Sequence, residues 1–214
     1  MIQPTSQQEW LNRAALYELL AFGLRVPTTE LGEAVSSGEF AEALEELGPL
    51  NGLDDAVIAR ESALLADYQG QEVEALFHRL RVEYTRLFVG APDPKVSPFA
   101  GVWWAKDQGV EPLLFVNKRS MGVERYLRAV GVGRPEGTNE PLDNIATMLE
   151  FLQYAALVCA GAVEAPKGVE IDAATSERFI EDFLDDWMKR FAAQVVEETR
   201  EPYYRVLAKV LGLL

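Results

Sequence analysis

The single histidine of this 214-residue chain, His78, stands four residues after Glu74. At that spacing two side chains share one helix face and could ligate a metal together. One imidazole and one carboxylate leave a zinc shell half empty, and a di-iron bundle needs two Glu-x-x-His motifs, so the pair reads as a surface contact. A serine hydrolase would need His78 as its base, and the chain has neither a G-x-S-x-G elbow nor a glycine-rich phosphate loop with its lysine. Cys159, the single cysteine, falls on an apolar helical stripe and reads as a small buried side chain rather than a nucleophile. What remains is recognition: no enzyme, no metal and no resident cofactor is expected.

Three groups of residues could carry recognition. In EYTRLFVG, Glu83 to Gly90, the residues Tyr84, Leu87 and Phe88 have the spacing of a buried helix face, and by spacing alone they are core. In PFAGVWW, Pro98 to Trp104, the residues Pro98, Phe99 and Trp103 crowd a proline-rich stretch without helical period, a composition that suits a recognition surface and a lid over the core alike. In NEPLDN, Glu140, Asp143 and Asn144 crowd a helix start with Pro141 expected at its first position. Carboxylates there complement the helix dipole, an effect of about 0.3–1 kcal/mol. The proline adds a further constraint, because it fixes where the helix begins and so where Glu140 and Asp143 point.

The charge balance narrows the partner. With 34 Asp+Glu against 20 Lys+Arg the chain carries −14, while 49% hydrophobic and 25% charged residues are ordinary for a globular protein. An acidic surface repels phosphate backbones and anionic lipid, which excludes nucleic acid and favours basic partners. The N-terminal stretch has no basic segment followed by an apolar one, and the longest apolar-rich run, Phe151 to Val163, is too short to span a bilayer. A cytoplasmic protein with no stable membrane insertion is expected.

The elements that must position these residues are helices. Ser6 and Glu9 form a capping box ahead of Trp10, Ala14, Tyr17, Ala21 and Leu24, with Gly23 and Pro27 ending the helix. Short helices follow around 31–35 and 40–47, the second closed by Gly48-Pro49, and Asp54 caps another running to about Gln69. Val73, Phe77, Leu80, Tyr84 and Leu87 mark a fifth helix stopped by Gly90. An irregular segment spans about 90–117, a short helix runs 120–130, and Pro141 heads a helix striped by Ile145, Leu149, Leu152 and Ala156. A long helix covers 173–198, and Pro202 opens the last. No alternating run is long enough for a strand, so the chain reads as all-α, one globular bundle of roughly eight to ten helices in a single domain over 1–214.

Taken in order, YTRLFVG, Ser97-Pro98-Phe99, NEPLDN and the closing FLDDWMKRFAAQVVEETREPYYRVLAKVLGLL resemble the TorD/DmsD family of redox-enzyme maturation chaperones. The resemblance implies a cytoplasmic chaperone that binds the catalytic subunit of a molybdopterin-dependent oxidoreductase, or its twin-arginine leader, assists cofactor insertion and delays export. Tyr84, Leu87 and Phe88 match the family's aromatic-x-x-Leu-Phe motif, Pro98 and Phe99 its loop, and Glu140, Pro141 and Asp143 its Glu-Pro-x-Asp-His motif. Asn144 stands where that motif has histidine, which keeps a hydrogen-bonding side chain and removes the titratable charge. Val116 stands where the family often has glycine. The family also implies a monomer or a domain-swapped homodimer with its hinge at 91–116, and guanine nucleotide as a weak ligand. A leader with two adjacent arginines needs apolar walls and fixed carboxylates, which Glu140 and Asp143 are expected to supply. The alternatives are a helical adaptor joining folded redox subunits and a guanine-nucleotide-hydrolysing protein.

Overall fold

The first helix, α1 (Gln7–Leu24), begins where its capping box places it: the Ser6 side chain accepts the Glu9 amide while the Glu9 carboxylate accepts the Ser6 amide. Here the computed structural model describes residues 4–91, 93–111, 117–133 and 140–214. Eleven α-helical stretches and no strand occur among these residues. After α1 come α2 (Thr29–Ser37), α3 (Glu39–Leu50) and α4 (Asp55–Ser62), which continues into a 3₁₀ segment, Ala63–Tyr68. Then α5 (Val73–Tyr84) runs into a π-helical turn, Thr85–Val89, followed by α6 (Ala100–Asp107), α7 (Lys118–Ala129) and α8 (Ile145–Cys159). The chain closes with α9 (Ala173–Phe179), a second π-turn (Ile180–Leu184), α10 (Asp185–Glu198) and α11 (Pro202–Gly212). Since α9, the π-turn and α10 are contiguous, the long helix expected over 173–198 is present with a one-residue bulge in its middle.

One hydrophobic core runs through all these layers. The α1 and α8 helices form its most extensive pairing, and α10 against α11 forms the next. Gly23 does not end α1, as its position near Pro27 suggested. It lies within the last turn, where a Cβ would fall 2.8 Å from Leu207 Cδ2 and 2.9 Å from the Tyr203 hydroxyl. The missing side chain lets α11 approach α1, and the Tyr203 hydroxyl donates to the Gly23 carbonyl at 3.1 Å.

Three other expectations change. The 90–117 stretch is not irregular throughout, because α6 occupies its middle. Two turns are too short to print a helical period, and the start of α6 is held from elsewhere in the chain, as shown below. Pro141 is not the first residue of α8: it precedes a turn at Leu142 and Asp143, and the helix starts after Asn144, whose Oδ1 accepts the Ala146 amide at 2.9 Å. Gly48-Pro49 lies inside the last turn of α3 rather than beyond it. Val116 and Asn139, named in the sequence motifs, fall outside the described residues, as does part of the 91–116 hinge.

Candidate functional site

The motifs separate into a buried joint and an open groove. At the joint, Pro98 to Ala100 lies alongside Asp143 to Ile145 as a short antiparallel pairing, with Phe99 bridged to Asn144. The Ala100 amide donates to the Asp143 carbonyl at 3.0 Å and the Ile145 amide to the Pro98 carbonyl at 2.9 Å. Asp143 is fully buried, and its Oδ2 accepts from the Gly101 amide at 2.8 Å and the Ser120 hydroxyl at 2.7 Å. The N-cap residue of α6, Phe99, has no side chain that can do this, so a carboxylate from the far side of the pairing caps α6 in its place.

The same oxygen reaches Ser120 in the first turn of α7, whose amide is held by the Asn117 cap at 2.8 Å. Asp143 therefore joins the starts of two helices. Gly101 makes this approach feasible: a Cβ there would lie 2.2 Å from Asn117 Nδ2 and 2.3 Å from Ser120 Oγ.

Trp103 completes the joint. Its indole N–H donates to the Ser97 carbonyl at 2.8 Å, and its ring lies 6.2 Å from that of Trp187, flanked by Lys106 and Arg190, each about 5.5 Å from the ring centre. Pro98 is buried and Phe99 half-buried. Of the two readings open for this segment, the packing is that of a lid over the core.

The YTRLF motif enters the core from the other side. Leu87 is wholly buried, and Phe88 stacks on Phe191 at 5.9 Å and meets Tyr84 and Tyr204 edge-on at 5.1 and 5.8 Å. The π-turn that carries Leu87 and Phe88 closes with the Gly90 amide on the Thr85 carbonyl. Just before it, the buried Glu83 carboxylate accepts from Arg86, from the Thr199 hydroxyl and from the Arg200 amide, pinning α5 to the α10–α11 corner. Burial works against this carboxylate, but these donors hold its pKa below the ordinary value.

Tyr84, Glu140, Pro141 and Asn144 meet at a groove of about 890 Å³. Its walls come from the end of α1 and the following loop (Phe22, Arg25, Val26), the turn after α7 (Val132) and the first three turns of α8 (Thr147, Glu150, Phe151, Tyr154). Burial first, and the charge of Glu140 second, push the Tyr84 phenol up to about 12, so it presents a neutral hydroxyl. Among the described residues lining the groove, Glu140, Glu150 and Arg25 carry charge, and Arg25 is ion-paired with Glu150. The arrangement is a trough with aromatic side chains and two carboxylates in its lining and a volume suited to a few side chains.

The ten nominated residues thus divide. Four line the groove. Asn144 serves both places, since it bridges Phe99 and caps α8; Leu87, Phe88, Pro98, Phe99, Trp103 and Asp143 belong to the core or the joint and do not line the groove. The carboxylate expected from Asp143 is turned to the two helix starts, and Glu150 stands in the groove instead. Glu150 carries a signal in the sequence: it is the one charged residue in the fifteen of α8. Arg25 had none, because its partner is distant in sequence.

Elsewhere, His78 and Glu74 form the expected exposed pair at 3.4 Å. Cys159 is half-buried at the end of α8, with burial raising its thiol pKa. No helix among the described residues is long and apolar enough to cross a membrane.

Comparison with known proteins bears on the whole chain. Residues 51–193 match the model of the nitrate reductase delta subunit family. Chaperone protein TorD of Vibrio vulnificus strain YJ016 is 25% identical over 203 residues, spanning 93% of this chain and 89% of that protein. Its counterpart in Aliivibrio fischeri is 28% identical over 205 residues, spanning 94% and 89%, and that of Shewanella piezotolerans is 24% identical over 205 residues, spanning 92% and 86%. Each of these relatives is named a chaperone protein. The all-α fold, the family match across both motif-bearing halves and full-length relatives of one kind lead to one conclusion: the chain belongs to the nitrate reductase delta subunit family, among the TorD/DmsD redox-enzyme maturation chaperones.

Proposed function

We propose that this protein is a cytoplasmic chaperone for the catalytic subunit of a molybdopterin-dependent oxidoreductase, and that it binds the twin-arginine leader of the immature subunit in the groove between α1, α7 and α8. The observation that carries the reading is the meeting of Tyr84, Glu140, Pro141 and Asn144 at one groove lined by apolar side chains and two glutamates. A leader offers the complementary chemistry, two guanidiniums followed by an apolar stretch. Charge-assisted hydrogen bonds to such groups are worth about 1.5–3 kcal/mol each when desolvated. The −14 net charge steers a basic segment toward the surface, an effect that weakens as salt shortens the screening length. Occupying the leader would delay export while the subunit receives its cofactor. Release then follows from client folding or competition, since the chain has no nucleotide-hydrolysis motif.

The test is affinity capture of the tagged protein from its own host grown without oxygen, with mass spectrometry of what co-purifies. Recovery of an immature oxidoreductase catalytic subunit that still carries its leader, lost on Glu140→Lys, is the expected result. Recovery of mature, folded complexes alone, indifferent to Glu140→Lys, would overturn the reading in favour of an adaptor.

A further inference from the structure

The α8 helix, IATMLEFLQYAALVC, carries a single charge, Glu150, on a segment whose other faces are packed into the core. A carboxylate so placed loses much of its hydration and needs a cation close by. In the free protein that cation is Arg25, from the loop between α1 and α2. The pair is asymmetric: the Glu150 side chain is 30% exposed and that of Arg25 59%. The acid belongs to the wall, and the base reaches it from the solvent side. Glu140, the other charged side chain lining the groove among the described residues, has the same sign as Glu150 and cannot neutralise it.

We propose that Glu150 is the acceptor for a guanidinium of the bound leader, and that Arg25 is an internal stand-in which the leader's arginine displaces. The inference rests on the groove being the leader's site. One planar guanidinium replaces another on the same carboxylate, so Glu150 is never left unpaired, and the exchange itself is close to neutral. Binding is then driven by what Arg25 cannot provide, namely the apolar flank on Phe151 and Tyr154 and the approach to Glu140. A lysine offers no fork to a carboxylate shaped by a guanidinium, so the groove selects arginine over lysine. Arg25 also sets a threshold. The apparent dissociation constant is the intrinsic one divided by the fraction of protein in which Glu150 is open.

Fluorescence anisotropy on the full chain tests this, with a fluorescein-labelled peptide carrying two adjacent arginines and a following apolar stretch, and its twin-lysine counterpart. Glu150→Gln should weaken the arginine peptide about tenfold or more. Arg25→Ala should tighten it about three- to tenfold by emptying the site. Lys189→Ala removes the same charge from the exposed side of α10, a helix that contributes nothing to the groove, and should leave affinity within about twofold. The lysine peptide should bind the wild type about tenfold more weakly and ignore Glu150→Gln.

Wild-type binding that Glu150→Gln leaves unchanged would overturn the acceptor. Weaker binding by Arg25→Ala, or a gain no larger than that of Lys189→Ala, would overturn the displacement. Failure of every variant, wild type included, to bind either peptide would instead overturn the leader reading on which this one stands. Arg25 is mostly exposed, and circular dichroism at 222 nm on each variant separates a lost site from a lost fold.

Discussion

Replacing Asp143 by alanine should unfold the groove's supports before it touches any ligand. The substitution removes the acceptor of the Gly101 amide and of the Ser120 hydroxyl, at 2.8 and 2.7 Å, both in a fully buried setting. Charge-assisted bonds of this kind are worth about 1.5–3 kcal/mol each, so two sum to about 3–6 kcal/mol. The serine hydroxyl can rotate toward another acceptor while the amide cannot, which brings the expected loss to about 3–5 kcal/mol. Against a total stability of about 5–15 kcal/mol that is a large fraction. Urea unfolding followed by circular dichroism at 222 nm would show it: with a slope near 2–3 kcal/mol/M, the midpoint should fall by about 1–2.5 M. Asp143→Asn keeps an acceptor of the same shape and should lose less than half as much. In both variants client binding should fall in step with stability. An alanine variant with an unchanged midpoint and abolished client binding would refute the argument, because it would make Asp143 a contact residue and not the joint between α6 and α7.

The Gly101→Ala variant should lose about 1–3 kcal/mol in the same denaturant assay, since its Cβ would fall within 2.2 Å of Asn117 Nδ2 and Asn117 is itself committed to capping α7. Leu87→Ala should cost about 2–5 kcal/mol by leaving a cavity under the π-turn, so lost client binding in that variant should be matched by a lower thermal midpoint. Acidification should unpin the α10–α11 corner through Glu83. Its folded pKa lies below the ordinary carboxylate value, so its stabilising contribution is complete above about pH 4.5 and disappears as pH falls through the lowered value. Glu83→Gln should therefore be less stable than the wild type at pH 7, and the gap should close as pH drops below about 4.5 in parallel unfolding curves.

The chain's sequence determines most of its helices and its own charge. Capping by Ser6 and Asp54, proline at the start of α11, and stripes such as Ile145, Leu149 and Leu152 are local signals, readable because a helix repeats its own geometry every 3.6 residues. The net charge of −14 is likewise a sum over residues, indifferent to their placement. The motifs YTRLF, SPF and EPLDN could be picked out as unusual, but their roles could not be divided. Asp143 and Glu140 are equal candidates on paper. Only the pairing of Pro98 to Ala100 with Asp143 to Ile145 turns one into a buried cap for α6 and leaves the other in the groove. The same pairing is why α6 escapes a reading by period: its start is satisfied by a carboxylate from another segment, and nothing within its two turns announces that. Arg25 and Glu150 are further apart still, joined by the packing of α1 along α8. Contacts made across the core depend on which faces meet, and that is decided when the whole apolar surface is buried at once, not residue by residue along the chain.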